Sequence, residues 1–345
     1  MARYPVPSHV IESIDAADLR GFGAAHLARR AANRRTIARL SEKLNAVFDS
    51  GVPFFTKDAI RDIVRQLDEL AVNPNPRVHT VRKFIVRGLD DCVVELRVPL
   101  GRVHPYRDLP DVDIVDAKLL VRFRPIDHLT STTRRFADEF NIEHAFLPMV
   151  VEPRPVQLHS VTNDYVPQYP VLPLEAVQAT LQRKRTEWES SSACQQLLST
   201  LRSAAIPDVR RIVAFACFNM SDCEMAERSA CQHALLLILR KFFAERQRIA
   251  EEDIVCFAQD PLYEDVDKKV LAGAGISVVE NPRAFLEVDD ASLVLSISPE
   301  TPVRQIVADI AQPAVMIWNR VEEVEQHAEW IGQTEWYGPP FQIFY

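Results

Sequence analysis

The sequence predicts an α/β protein whose main domain is a doubly wound, mostly parallel sheet. Between residues 210 and 321, short apolar runs alternate with segments that carry helix signals. The runs lack helical periodicity and are too short for buried helices, which indicates strands that are buried on both faces. Strands that alternate with helices favour parallel pairing. The predicted strands are 212–217, 254–258, 276–279, 292–297 and 314–318.

The segments between these strands predict helices. The first is long and apolar, and includes residues 234–239. Asp260 with Pro261, and Thr301 with Pro302, have the pattern of an N-cap followed by proline at the first helical position. A further helix is expected over residues 174–204, ahead of the first strand. We therefore place the sheet domain at residues 174–325, followed by a C-terminal tail at 326–345.

The N-terminal half predicts an α+β extension. A loose arm at residues 1–16 precedes it, and the extension itself covers residues 17–147. Six prolines between 148 and 173 indicate a stiff connector and the domain boundary. The elements expected in the extension are helices over 18–49 and 57–70, the second capped by Thr56, and strands at 80–87, 92–98 and 117–123.

Composition and charge limit the classes of partner. The net charge of −8 argues against general polyanion binding, so we do not expect nucleic acid as a partner. The arginine-rich stretch at 29–39 is interpreted as a solvated helix face, with a nucleic-acid contact as the alternative. No apolar run reaches the roughly 18 residues that span a bilayer, and the N-terminus lacks the apolar core of a secretory signal. With six cysteines typical of reduced thiols, we expect a cytoplasmic or nuclear protein without a membrane partner.

A metal site is not predicted. Asp111, Asp113 and Asp116 are close enough in sequence to hold a hard cation, but the glycine and distal glutamate of an EF-hand loop are missing. A solvated acidic loop is the alternative that we favour. The cysteines near the first strand have no C-x-x-C spacing, which favours buried apolar side chains over ligands.

The candidate site is the edge of the sheet where the parallel strands end. Ligands of doubly wound sheets bind beyond the carboxyl ends of the strands, where helix N-termini point. Polar residues that follow the predicted first, second and fourth strands lie at this edge. The candidate ligand-binding residues are Asn219, Ser221, Asp260, Tyr263, Ser296 and Ser298.

The first turn argues against a dinucleotide bound in the ordinary way. A G-x-G-x-x-G motif would follow the first strand, but residues 216–221 contain no glycine. Phe218 would block close approach, and Asp222 would repel a phosphate at the helix start. The cofactor therefore stays unidentified. Asp260 has two open interpretations: it holds a ribose hydroxyl pair of a nucleotide or S-adenosylmethionine, or it caps a helix. His233 is interpreted as a core histidine rather than a base.

Residues 213–318 resemble the SRR-like domain, which is named for the plant protein whose loss gives sensitivity to red light reduced. The resemblance rests on the first-strand turn and on residues 232–239, 260–268, 271–276 and 293–299; Asp260, Pro261 and Asp267 are its most specific part. Residues 54–57 resemble the N-terminal extension of fungal members. The family often has glycines in the first turn, where this chain has Ala216 and Phe218.

The resemblance implies a Rossmann-like sheet and a regulatory association with light signalling, circadian output or haem metabolism, but no defined reaction. Our first hypothesis is a regulatory protein of the SRR-like family that binds a small ligand or a protein partner at the carboxyl edge of the sheet. The alternative is an enzyme, an S-adenosylmethionine- or nucleotide-dependent transferase with Asp260 on the ribose. The missing glycines favour the first hypothesis, and Asp260 keeps the second open.

Overall fold

The computed structural model describes residues 39–70, 75–105, 111–129, 144–319 and 341–344. The chain divides into two compact units, Met1–Val52 with Ile126–Phe146, and Pro53–Pro125 with Leu147–Tyr345. In the first unit, residues 39–49 form helix α1, and Gly51, with a φ of +73°, follows its end. The rest of the helix predicted over 18–49, the loose arm and all of the basic stretch except Arg39 lie outside the described residues.

The second unit contains seven further α-helices and eleven strands among the described residues. The helices are α2 (Lys57–Asp68), α3 (Leu174–Ser190), α4 (Ser192–Ser203), α5 (Ala226–Gln247), α6 (Asp265–Gly273), α7 (Ala284–Glu287) and α8 (Val303–Ile310). The strands are β1 (Thr80–Arg87), β2 (Val93–Leu100), β3 (Val103–Pro105), β4 (Val112–Phe123), β5 (Met149–His159), β6 (Arg211–Phe215), β7 (Val255–Gln259), β8 (Ile276–Val278), β9 (Ser292–Ser296), β10 (Val315–Asn319) and β11 (Phe341–Phe344).

Five strands form a parallel sheet in the order β10-β9-β6-β7-β8. These are the five strands that the apolar runs predict, and their parallel pairing is confirmed. Strand β11 adds to the edge and runs antiparallel to β10. The central strands β6 and β9 are buried along almost their whole length, which explains why their sequences are continuously apolar instead of alternating.

One face of the sheet packs on α5. Ile212 and Ala214 of β6 share an apolar cluster with the buried side of α3 and with much of α5. Helix α5 is apolar around most of its circumference, since thirteen of its residues are buried. Such a helix forms only when it is covered by neighbours on several sides. Helix α6 contributes Val270 and Leu271 to the same cluster.

The other face of the sheet packs on a row of aromatic rings. Phe215 of β6 stacks on Phe285 of α7, with ring centroids 4.4 Å apart. Phe123 of β4 lies 5.0 Å from Phe285 and 5.6 Å from Phe55 in edge-to-face arrangements, which are favourable for aromatic pairs. The carboxylate of Asp309 in α8 accepts hydrogen bonds from the backbone N–H groups of Phe54 and Phe55. This face is therefore covered partly by residues from before β5.

The strands before the parallel sheet pair antiparallel. Strands β1 and β2 form a two-stranded ribbon, and β3, β4 and β5 form a three-stranded sheet. Helix α2 begins at the predicted cap, since Thr56 Oγ1 accepts a hydrogen bond from Ala59 N. The three strands predicted in this region are confirmed.

Several features of the sequence analysis are wrong. Thr301 does not cap α8, because the residue before that helix is Pro302 and no side chain caps it. Strand β5 was missed because Pro153 and Pro155 made its segment look like part of a connector; it lies at the edge of its sheet, where proline is tolerated. The helix predicted over 174–204 is two helices, because Ser191 is extended and its Oγ caps α4 through Cys194 N. The helix predicted to start at Asp260 begins at Asp265 instead. The domain boundaries themselves stay a prediction.

Candidate functional site

Three strands end at one level at the carboxyl edge of the parallel sheet. Phe215, the last residue of β6, pairs with Gln259 at the end of β7 and with Ser296 at the end of β9. The chain proceeds from β6 to β7 and β8 on one side, and β9 and β10 lie on the other. The order therefore reverses between β6 and β9. In open α/β sheets, this reversal is where the loops diverge and leave a crevice for a ligand.

The loop after β6 has an unusual backbone. Ala216 and Phe218 have φ values of 56° and 62°, in the left-handed region that costs a non-glycine residue roughly 1–2 kcal/mol. The loop is held from both sides. Phe218 N donates to Asp260 Oδ2 (2.7 Å), and Phe218 O accepts from Ser229 Oγ (2.8 Å). The positions at which the SRR-like resemblance expects glycine are thus the positions where the backbone is left-handed.

Asp267 fastens this loop to helix α6. Its carboxylate is fully buried. Oδ1 accepts from the N–H groups of Met220 (2.8 Å) and Ser221 (2.9 Å), while Oδ2 accepts from Ser221 Oγ (2.7 Å) and Glu264 N (2.9 Å). Four donors offset much of the desolvation cost of the buried charge. The role of Asp267 is therefore to position the loop and the start of α6.

Asp260 holds two turns together. Besides the bond from Phe218 N, its Oδ1 accepts from Leu262 N (2.9 Å). Burial raises the pKa of Asp260, and the bonds from Leu262 and Phe218 and the charge of Arg154 act in the opposite direction. The interpretation of Asp260 as a helix cap is wrong, because the residue before α6 is Glu264 and Asp260 closes a turn ahead of it.

His233 and Tyr263 form a buried pair beneath the loop. His233 Nδ1 donates to the carbonyl of Ser229 (2.8 Å), which leaves Nε2 to accept from the Tyr263 hydroxyl (2.8 Å). Burial lowers the pKa of His233 to about 4 and raises that of Tyr263. The imidazole is therefore neutral near pH 7, which agrees with the interpretation of His233 as a core histidine.

The loop after β9 is tied to β10. Ser298 also has a left-handed φ, 55°, and its N–H donates to Asn319 Oδ1 (2.7 Å). Asn319 Nδ2 donates in return to Ser298 Oγ (2.8 Å). This two-way bond connects the ends of neighbouring strands and occupies the side chain of Ser298.

Two buried polar atoms at the reversal point have no hydrogen-bond partner among the described residues: Asn219 Oδ1 and Ser296 Oγ. Asn219 is 7% exposed and Ser296 is 1% exposed. An unsatisfied buried polar atom costs roughly 1–3 kcal/mol, so such atoms are uncommon in folded proteins. One follows β6 and the other ends β9, on the two sides of the reversal.

A segment after β5 contacts the loop that follows β6 and the start of α6. Leu172 N donates to Ser221 O (2.8 Å), and Val171 forms a bridge with Asp222. Earlier in the same segment, the Tyr165 hydroxyl donates to the carboxylate of Glu264 (2.6 Å). We call residues 165–172 the strap. It contacts both the β6 loop and the start of α6, so it lies at the carboxyl edge of the sheet.

Two of the three aspartates considered for a metal are engaged elsewhere. Asp113 forms an ion pair with Arg77 (2.6 Å), and Asp116 lies 3.3 Å from His104. Within the described ranges, no three His, Cys, Asp or Glu side chains are grouped so as to hold a metal ion. All six cysteines are free. In the same part of the chain, no helix has both the length and the apolarity needed to cross a membrane.

The structure places the six predicted site residues in three groups. Ser221, Asp260 and Tyr263 lie in the hydrogen-bonded network between β6, α5 and α6, and Ser298 lies in the network with β10. Asn219 and Ser296 flank the reversal. Their role in binding stays a prediction. Sequence reasoning did not assign Asp267 or Asn319 to the site; the place of Asp267 in the most specific part of the SRR-like resemblance is the signal that could have identified it.

The comparison with protein families gives one finding. Residues 177–336 match the family model described as the SRR1 domain. The match contains strands β6 to β10 and every predicted site residue, and it supports the SRR-like family for this part of the chain. No curated protein and no solved structure matches the chain significantly.

Proposed function

We propose that the chain is a regulatory protein of the SRR-like family, and that it binds a small ligand at the reversal point between β6 and β9. We also infer that its sheet is Rossmann-like and doubly wound. The strand order and the apolar contacts of α5 and α7 with opposite faces support this inference. The six free cysteines support a reducing compartment, the cytoplasm or the nucleus. The resemblance of residues 54–57 supports a fungal-type member.

The observation that carries the proposal is the pair of buried atoms without partners, Asn219 Oδ1 and Ser296 Oγ. They flank the point where folds of this class bind ligands. A ligand that hydrogen-bonds both atoms would satisfy groups that have no partner in the described part of the chain, and that gain would contribute to affinity.

A regulatory role fits the titratable groups at this edge better than catalysis does. The carboxylates of Asp260 and Asp267 accept backbone hydrogen bonds, and His233 and Tyr263 bond each other while buried. A general base must reach the proton of a substrate, whereas these described side chains already form hydrogen bonds within the protein. The transferase alternative gains no specific support, because both oxygens of Asp260 already accept N–H groups.

The test is a thermal-shift screen of the full chain against nucleosides, sugars, nucleotides, S-adenosylmethionine, NAD(P) and haem. A ligand at 100 times its Kd adds about 2.7 kcal/mol to the free energy of unfolding. We expect Ser296→Ala to abolish the shift while leaving the free protein as stable as before or more stable, since it removes an unsatisfied hydroxyl.

The matched control is Ser292→Ala on the same strand. Ser292 is also buried, but its Oγ bonds Asp289 at the opposite end of β9 (2.7 Å). This variant should lower the melting temperature and keep the ligand shift. A ligand whose shift survives in Ser296→Ala binds elsewhere, and the proposed site would then be abandoned.

A further inference from the structure

We infer that the ligand of this site carries no phosphate: it is a small neutral molecule that presents N–H or O–H donors to Asn219 Oδ1 and Ser296 Oγ. This inference rests on the proposed function and names the chemical class that the site accepts. It follows from the hydrogen bonds of the β6 loop, from the carboxylates around it and from the two unsatisfied atoms.

The first step concerns the backbone N–H groups that would bind a phosphate. In nucleotide-binding folds, the N–H groups of the first loop and of the following helix start surround the anion. In this chain, three carboxylates accept N–H groups of the loop between β6 and α5. Asp260 accepts from the N–H of Phe218, Asp267 from Met220 and Ser221, and Asp222 from Glu224 and Met225.

The second step concerns charge. Asp222 is 2% exposed, and its Oδ1 accepts from the N–H groups of Glu224 and Met225, the two residues before α5. Its carboxylate therefore lies next to the start of this helix, where it would repel an anion. Arg154 is the cation that acts on Asp260 through its charge, and it is outnumbered by the three carboxylates. A phosphate at this point would have to displace a carboxylate from its N–H donors and remain close to the other two, and like charges repel strongly in a partly buried site.

The third step concerns the two buried atoms that have no hydrogen-bond partner among the described residues. Asn219 Oδ1 is an amide oxygen and can only accept, so it requires a donor from the ligand. Ser296 Oγ can donate and accept. Hydroxyl, amide and amino groups of a neutral molecule match both atoms, whereas a phosphate dianion offers acceptors alone.

The experiment compares matched pairs of probes by thermal shift and by ligand-observed NMR: adenosine with AMP, uridine with UMP, and ribose with ribose 5-phosphate. We expect a saturable effect from at least one unphosphorylated probe, at least tenfold weaker binding of its phosphorylated partner, and loss of the effect in Ser296→Ala. Ser292→Ala serves as the control and should retain the effect of the unphosphorylated probe.

A second variant tests the charge argument directly. Asp222→Asn keeps a side-chain oxygen that can accept from the N–H groups of Glu224 and Met225. It removes one negative charge, so the affinity for the phosphorylated probe should rise by about tenfold or more relative to its partner. The melting transition of the variant establishes that it is folded.

The outcomes separate the two proposals. If a phosphorylated probe binds as well as its partner or better, and Ser296→Ala abolishes that binding, the site stands and the inference of a phosphate-free ligand is overturned. If no pair gives an effect that depends on Ser296, the proposed ligand site is itself contradicted, and this inference falls with it.

Discussion

At the scale of single residues, the loop after β6 combines backbone strain with tight anchoring. Ala216 and Phe218 are left-handed without being glycine, and the bonds of Phe218 to Asp260 and Ser229 hold that conformation. Strain of this kind persists only where the surroundings determine the backbone strongly, and it is concentrated at binding sites. The sequence predicted the place of the loop, but not its left-handed residues, because nothing local in alanine or phenylalanine favours a positive φ.

Ala216→Gly should be neutral or stabilising by up to about 1 kcal/mol. Glycine relieves the left-handed strain, and the greater freedom of the unfolded chain offsets part of that gain. The control is Ala214→Gly in β6, where the residue is buried and extended, and we expect a loss of about 1 kcal/mol or more. Urea unfolding measures both. An equal loss of stability in the two variants would contradict the backbone strain at Ala216.

His233 gives the protein an acid-sensitive core. Its pKa is lowered from 6.5 to about 4 by burial, so the unfolded chain binds a proton more readily than the folded one between these values. The contribution to stability is complete above about pH 6.5 and is lost as the pH falls towards 4. The whole effect amounts to up to about 3 kcal/mol.

We therefore expect His233→Gln to be less stable than the native chain at pH 7 and to lose less stability between pH 6.5 and 4.5, as measured by urea unfolding. His79→Gln, at an exposed position, should keep the native dependence on pH. A His233→Gln variant with an unchanged slope would show that other groups cause the acid sensitivity.

At the scale of elements, Asp267 decides how α6 meets the sheet. The sequence placed a helix here but set its start at Asp260, because the pair of aspartate and proline has the pattern of a cap. The four bonds that Asp267 accepts come from the β6 loop and from Glu264, and three of them are distant in sequence. A pattern within one segment does not reveal such bonds, and so the start of α6 was misplaced.

Asp267→Asn should cost about 2–4 kcal/mol. One carboxylate oxygen becomes an NH₂ group that faces donors, so buried N–H or hydroxyl groups lose their acceptor. Asp265→Asn on the same helix is the control, since its side chain is 90% exposed and should change the stability by less than about 0.5 kcal/mol. Thermal unfolding compares the two. Similar melting temperatures would rule out the anchoring role.

At the scale of the whole molecule, the part that matches the SRR1 domain does not supply all the aromatic rings that pack on the second face of its parallel sheet. Phe215 and Phe285 lie inside residues 177–336, but Phe55 and Phe123, which complete the aromatic row, lie outside. Strand order and parallel pairing were predictable, because buried strands have a distinctive composition. Which residues cover the second face of the sheet was not predictable, because nothing in the sequence around Phe55 or Phe123 indicates the rings that they contact.

We expect a chain of residues 174–345 to expose this aromatic face. It should bind a hydrophobic dye, melt at a lower temperature than the full chain and aggregate at concentrations where the full chain stays dispersed. Dye fluorescence and light scattering on the two chains provide the test. Cooperative unfolding of the short chain at the temperature of the full chain, without dye binding, would contradict the role of Phe55 and Phe123.

The pairing of β6 with β9 has a consequence for how the molecule assembles. These neighbours are separated in sequence by α5, β7, α6, β8 and α7, so their contact closes one of the long loops of the chain. Contacts of long sequence separation form at a high entropic cost and make folding slow. Asn219 and Ser296 come from the two sides of that contact. The proposed site between them therefore requires this slow closure, and an intermediate in which β9 has not yet docked on β6 would have only one of its two sides.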